Sequence, residues 1–172
     1  MIKLFGIILL LGGSTGFAFC LCQDRREHLF LLKEMRLFFS LVQEEIRYSG
    51  LPVTEIIKNV NTKISGPYYN ALSNVMEKLS WEEGNHLKDV WKGEMEKVME
   101  HTPLSRQEKE LFIRFPDSLG MPEKDGQANA LAGYMRELDG WIQELEQEEK
   151  SKNKVIMSMG MATGILLSVL LL

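Results

Sequence analysis

Apolar positions along this chain fall into two unlike patterns. Two long uncharged runs, Leu4 to Cys22 and Val155 to Leu172, flank a charged body whose hydrophobic residues recur at helical spacing. From Asp24 to about Ser49 the body opens with a stripe of Leu31, Met35, Phe38, Val42 and Ile46. Leu37, Leu41 and Tyr48 form a second stripe on the same segment, and a helix apolar on two faces is expected at the centre of a bundle. The helix is also expected to run straight on from the first apolar run.

Glycine and proline punctuate the rest of the body. Gly50 ends the first body helix and Pro52 opens the second as its first residue, which carries Val53, Ile56, Ile57 and Val60. Gly66–Pro67 breaks it before a third helix with Tyr68, Leu72, Val75, Met76 and Leu79. A fourth is expected from about Glu82 to Glu100, through Leu87, Val90, Trp91, Met95 and Val98, ended by Thr102 and Pro103. Ser105 with Glu108 forms a capping-box pattern, each side chain able to bond the other's free backbone donor. It starts a fifth helix, with Leu111, Phe112 and Phe115, which stops or kinks at Pro116. After the break at Leu119, Gly120 and Pro122, a long sixth helix carries Leu131, Tyr134, Leu138, Trp141 and Leu145 to about Lys150. Short links between helices predict an antiparallel, all-α bundle of about six helices, with no convincing strand.

Each apolar run is long enough to cross a bilayer as a helix, which takes ~20 residues. A cleaved signal peptide is the competing reading for the first, but its basic side chains stop at Lys3, its apolar stretch is long, and no A-x-A site follows. A core helix is the alternative for the second, yet that run has no charged face. The expected organisation is a transmembrane helix over 1–22, a helical domain over 23–154 and a second transmembrane helix over 155–172. Arg25 and Arg26 after the first run, and Lys150, Lys152 and Lys154 before the second, orient the body toward the cytoplasm. Gly12 with Gly16, and Gly160 with Gly164, are small pairs four apart. They read either as helix-packing sites or as ordinary membrane-helix composition.

The body, roughly 130 residues, is enough for one domain with a core. It holds all twenty-four acids and nineteen of the twenty basic residues, a side-chain charge near −5. No basic stripe interleaved with aromatics occurs, so nucleic acid is a poor partner. Cys20 and Cys22 imply no disulfide framework in a reducing compartment; they read as apolar filler, lipidation sites or metal ligands. His28, His86 and His101 have no H-E-x-x-H or cysteine spacing and read as surface histidines, so neither a metal nor a cofactor is expected. The adjacent carboxylates Glu44–Glu45 and Glu82–Glu83 cannot share a helix face and make poor acid/base pairs. Phosphate-binding glycine loops of the P-loop or Rossmann type are missing from the sequence.

The segment Glu45-Ile46-Arg47-Tyr48-Ser49-Gly50-Leu51-Pro52-Val53-Thr54-Glu55 resembles the stage III sporulation protein AB family. There the pattern is Glu-Ile-x-Tyr, a short turn, then Pro-Leu-x-Glu. The resemblance continues at Trp91, Leu119-Gly120, Gln127 and the Lys-rich approach to a glycine-containing final run, and covers essentially the whole chain. Departures are Val53 for the commoner leucine and Glu123 where the family usually has aspartate, with Asp125 two residues on.

The resemblance implies a non-enzymatic adaptor in the mother-cell membrane around the forespore, with its body cytoplasmic. The domain looks like that of the inner-membrane platform protein of type II secretion and type IV pilus systems. By that analogy the implied partners are a secretion-type ATPase, stage III sporulation protein AA, and other membrane subunits of a sporulation channel. A homo-oligomer is also compatible. Docking candidates are Tyr48, Gly50, Leu51, Pro52 and Glu55 at one turn and Leu119, Gly120, Glu123 and Gln127 at another. Each also has a structural role open to it: Gly50 and Gly120 as C-caps, Leu51 as a staple, Glu123 and Gln127 as helix-start bonding groups. Rival readings are a small membrane-embedded enzyme, for which no convergent catalytic set is visible, and a pore-lining subunit, for which the runs lack ionisable residues.

Overall fold

The computed structural model describes the backbone of residues 2–81 and 87–170, and the side chains of residues 23–79 and 87–148. Seven helices and no strand occur among the described residues. They are α1 (Ile2–Tyr48), α2 (Val53–Asn61), α3 (Pro67–Trp81), α4 (Leu87–Met99), α5 (Arg106–Ile113), α6 (Phe115–Leu119) and α7 (Lys124–Leu170). The first and last are unbroken helices of 47 residues each, so the body helices continue directly into the apolar runs. No helix among the described residues is long and apolar enough to cross a membrane. Both apolar runs, with Gly12, Gly16, Gly160 and Gly164, lie outside the residues whose side chains are described.

α1 and α7 pack antiparallel, and four contacts fix their register. Gly50 lies beside Lys124, Gln43 Nε2 donates to the Ala128 carbonyl at 2.6 Å, Arg36 bridges Asp139, and Lys33 bridges Glu146 at 2.7 Å. α4 returns antiparallel to α3, joined where Lys78 and Asn74 reach Glu94.

The first stripe of α1 behaves as its period predicts: Leu31, Met35, Phe38, Val42 and Ile46 are all buried. The second does not. Leu37 is 38% exposed, Leu41 half-buried and Tyr48 86% exposed, so α1 is covered on one side only. Its two apolar faces therefore do not place it at the bundle's centre.

Aromatic rings fill the core between α1, α4, α5 and α6. Trp91 sits 4.7 Å from Phe115 and Phe38 sits 5.0 Å from Phe115, centroid to centroid. These tilted and edge-on contacts are the favoured geometry for aromatic quadrupoles. Trp91 is fully buried, whereas Trp141 is only partly buried at the rim.

Local signals explain most boundaries. The capping box forms: Glu108 N–H donates to Ser105 Oγ at 3.3 Å, and Ser105 N–H donates to Glu108 Oε2 at 2.6 Å. The predicted fifth helix divides at Arg114, and Pro116 sits in the first turn of α6, where its missing N–H is no loss. Pro52 is the N-cap of α2 rather than its first residue, so the helix starts one residue later than expected. Gly66 adopts φ +72°, and a Cβ there would come within 2.9 Å of the Phe30 ring.

Candidate docking surface

Two turns that are some seventy residues apart in sequence meet at one end of the α1–α7 pair. α1 ends at Tyr48 and α7 begins at Lys124, so both turns lie at the end remote from the apolar runs. A Cβ built on Gly50 would stand 3.2 Å from Lys124 Nζ. The docking candidates from the sequence, Tyr48 to Glu55 and Leu119 to Gln127, are thus neighbours.

The first turn is built by its own residues. Ser49 Oγ donates to the Glu45 carbonyl at 2.6 Å and accepts from Leu51 N–H at 3.3 Å. Gly50 takes φ +62°, the left-handed conformation a helix C-cap favours and that only glycine adopts cheaply. Tyr48, Leu51 and Pro52 are left exposed, Leu51 at 41%. Glu55 is exposed in the first turn of α2 and lies 4.0 Å from Lys58. A carboxylate there is favoured by the helix dipole.

The second turn is tied by Gln127. Its Nε2 donates to the Met121 carbonyl at 2.7 Å and to the Leu119 carbonyl at 3.2 Å. Gln127 is therefore a turn-bonding group, half-buried, rather than an exposed contact. Leu119 is half-buried and packs on the core. Glu123 is exposed, and its carbonyl accepts the Gln127 N–H at 3.1 Å. Gly120 caps α6 with φ −73°, a right-handed conformation open to any residue, and a Cβ there would make only ordinary contact with the Asp117 carbonyl.

The surface that remains is apolar at Tyr48, Leu51 and Met121 and carries both signs of charge at Glu55, Glu123 and Lys124. Met121, which the sequence pattern did not single out, is 42% exposed beside Gly126. Its position in a turn gives it no period by which to be found.

Elsewhere the polar groups serve packing. Glu94 is buried and accepts from Lys78 at 2.7 Å, Lys97 at 2.8 Å and Asn74 at 3.2 Å. The lysine contacts outweigh burial and hold its carboxyl at about 2. His28 is not a free surface histidine: Nε2 lies 2.9 Å from the buried Glu108 carboxylate and joins α1 to the α5 capping box. Burial pushes the Glu108 carboxyl up, but bonds from His28 and Ser105 outweigh it, leaving it below the ordinary range. Burial raises the Tyr68 phenol, whose hydroxyl has no hydrogen-bond partner. Among the described residues no group of three or more His, Cys, Asp or Glu is placed to hold a metal ion. A shallow groove of about 470 Å³ is lined by Gly93, Glu96, Lys97, Met99, Glu100, Lys109 and Ile113.

The fold is an all-helical bundle resting on one side of a long helical hairpin, with Tyr48, Leu51 and Met121 exposed at its tip. The chain belongs to the stage III sporulation protein AB family, whose model matches residues 3–172. It is 23% identical over 175 residues to "Stage III sporulation protein AB" of Bacillus subtilis (strain 168), with 100% of both chains covered. A solved structure of a stage III sporulation protein AB shares the fold at TM-score 0.64 and 18% identity, covering 73% of this chain and 98% of that one.

Proposed function

We propose that this sporulation protein is a membrane-anchored, non-enzymatic adaptor whose tip docks a cytoplasmic secretion-type ATPase onto a sporulation-specific, secretion-like channel. One observation carries the reading: the two turns that hold the family pattern converge on a single exposed tip, at the end farthest from the apolar runs. A protein held by both runs in the mother-cell membrane around the forespore would present that tip furthest into the cytoplasm. Arg25, Arg26, Lys150, Lys152 and Lys154 at the inner ends of the runs support that orientation. The runs themselves would pack against other channel subunits, with Gly12, Gly16, Gly160 and Gly164 as close-approach positions. Tyr48 and Leu51 supply an apolar anchor of the kind that dominates interface energetics, and Glu55 and Glu123 set charge at its rim.

The test is pull-down of the ATPase, stage III sporulation protein AA, by the detergent-solubilised full chain at low and raised salt. Tyr48→Ala, Glu55→Lys and Glu123→Lys should each weaken recruitment and sporulation while leaving helicity unchanged, because all three side chains are exposed. Normal recruitment by all three variants would remove the tip from the docking role.

A further inference from the structure

The α1–α7 pair is covered on one side only, and its other side is self-complementary. The bundle helices pack over Phe38, Val42, Leu131 and Leu138, all buried. Away from them, the Arg36–Asp139 bridge marks the seam between the two long helices. The next residue on each, Leu37 on α1 and Gly140 on α7, is exposed on the uncovered side. Leu37 is a large apolar side chain offered to solvent, and half-buried Leu41 continues its ridge one turn on. Gly140 is the opposite: a Cβ placed there meets nothing within 4 Å. Seven residues before it, Gly133 lies on the same face, where a Cβ would meet only the end of the Arg136 side chain, at 3.9 Å.

Glycine is the poorest ordinary helix former. Neither Gly133 nor Gly140 has a positive φ or a close internal neighbour to require it. The two glycines are level with the ridge. The Arg36–Asp139 and Gln43–Ala128 contacts put Gly140 at the height of Leu37 and Gly133 at about the height of Leu41.

We infer that this face is the dimer interface of the protein, with a second copy of the chain as its occupant. A two-fold axis along the helices sets Leu37 of each copy over Gly140 of the other, and Leu41 over Gly133. The contact is isologous, one ridge entering one groove twice. It assembles the two hairpins into four antiparallel helices, with small residues allowing close backbone approach. Exposed Glu44 and Arg136 bring opposite charges to the rim of the same face. The inference rests on the reading of both runs as membrane anchors, since anchoring gives every copy the same orientation and makes the axis perpendicular to the bilayer. Tyr48 continues the same stripe about three turns beyond Leu37, so the docking tip adjoins one end of this face.

The experiment uses the full chain in lipid nanodiscs, with Cys20→Ser and Cys22→Ser. Leu37→Cys protein mixed with Gly140→Cys protein should form a mixed disulfide dimer on oxidation, well above a Tyr69→Cys control on exposed α3. Gly140→Leu, whose Cβ would meet nothing within 4 Å in its own chain, should raise the dimer dissociation constant roughly tenfold or more. Its helical circular dichroism should be unchanged. A monomeric mass in the bilayer, cross-linking no better than Tyr69→Cys, or an unaffected dimer in Gly140→Leu overturns the inference. A monomer in which Gly140→Leu still blocks sporulation assigns the face to a different protein, and overturns it too. Failure of the anchor reading is separately visible, as chain recovered in the aqueous fraction without detergent.

Discussion

The indole nitrogen of Trp91 donates a 3.0 Å hydrogen bond to the backbone carbonyl of Phe112. In a continuing helix that carbonyl would accept from the residue four positions on, but that residue is Pro116, which has no N–H. The break between α5 and α6 therefore leaves an acceptor inside the core, and a tryptophan is the aromatic residue that fills the space and supplies the donor. A sequence feature that reads only as a helix stop thus fixes how α4 docks on α5.

Trp91→Ala should destabilise the protein by about 3–5 kcal/mol, since it removes a fully buried ring and its hydrogen bond to the Phe112 carbonyl. Trp141→Ala should cost less, because that ring is only partly buried. Thermal unfolding of the two variants followed by circular dichroism checks the order, and equal losses would contradict the packing described.

Acid stability should depend on Glu94. Its carboxyl is held at about 2 in the folded chain against an ordinary 4.5. The folded state binds fewer protons there than the unfolded one, so the stabilisation is fully present above about pH 4.5 and is lost as pH falls toward 2. Glu94→Gln should cost about 1–2 kcal/mol at neutral pH, at the low end for a charged network because Lys78 and Lys97 are solvent-screened. The variant should also lose less stability than the parent between pH 5 and pH 3 in denaturant titrations. A parallel loss in both proteins would mean that Glu94 is not the group responsible.

The two turn glycines should separate sharply. Gly50→Ala places a side chain in the left-handed region and should destabilise by about 1–2 kcal/mol. Gly120→Ala has right-handed backbone and ordinary contacts, so its stability change should stay within about 0.5 kcal/mol. Equilibrium unfolding of both variants measures this. If Gly120→Ala is stable yet impairs ATPase recruitment, the glycine serves the tip rather than the fold.

The sequence by itself determined what is local. Helical period placed the core stripe of α1 on Leu31, Met35, Phe38, Val42 and Ile46, glycine and proline marked the breaks, and Ser105 with Glu108 marked a helix start, because each signal acts within one or two turns of chain. The family pattern likewise singled out Tyr48 to Glu55 and Leu119 to Gln127 as two separate stretches. Only the tertiary structure decided what those stretches do together. It put Gly50 against Lys124, turned Gln127 inward onto the Met121 and Leu119 carbonyls, and gave His28 a buried partner eighty residues away. It also left Leu37 and Tyr48 uncovered, although their spacing matches a buried stripe. The period of a side chain shows which residues share a face. Whether anything covers that face depends on the register and direction of helices far away in sequence, and no local spacing encodes that.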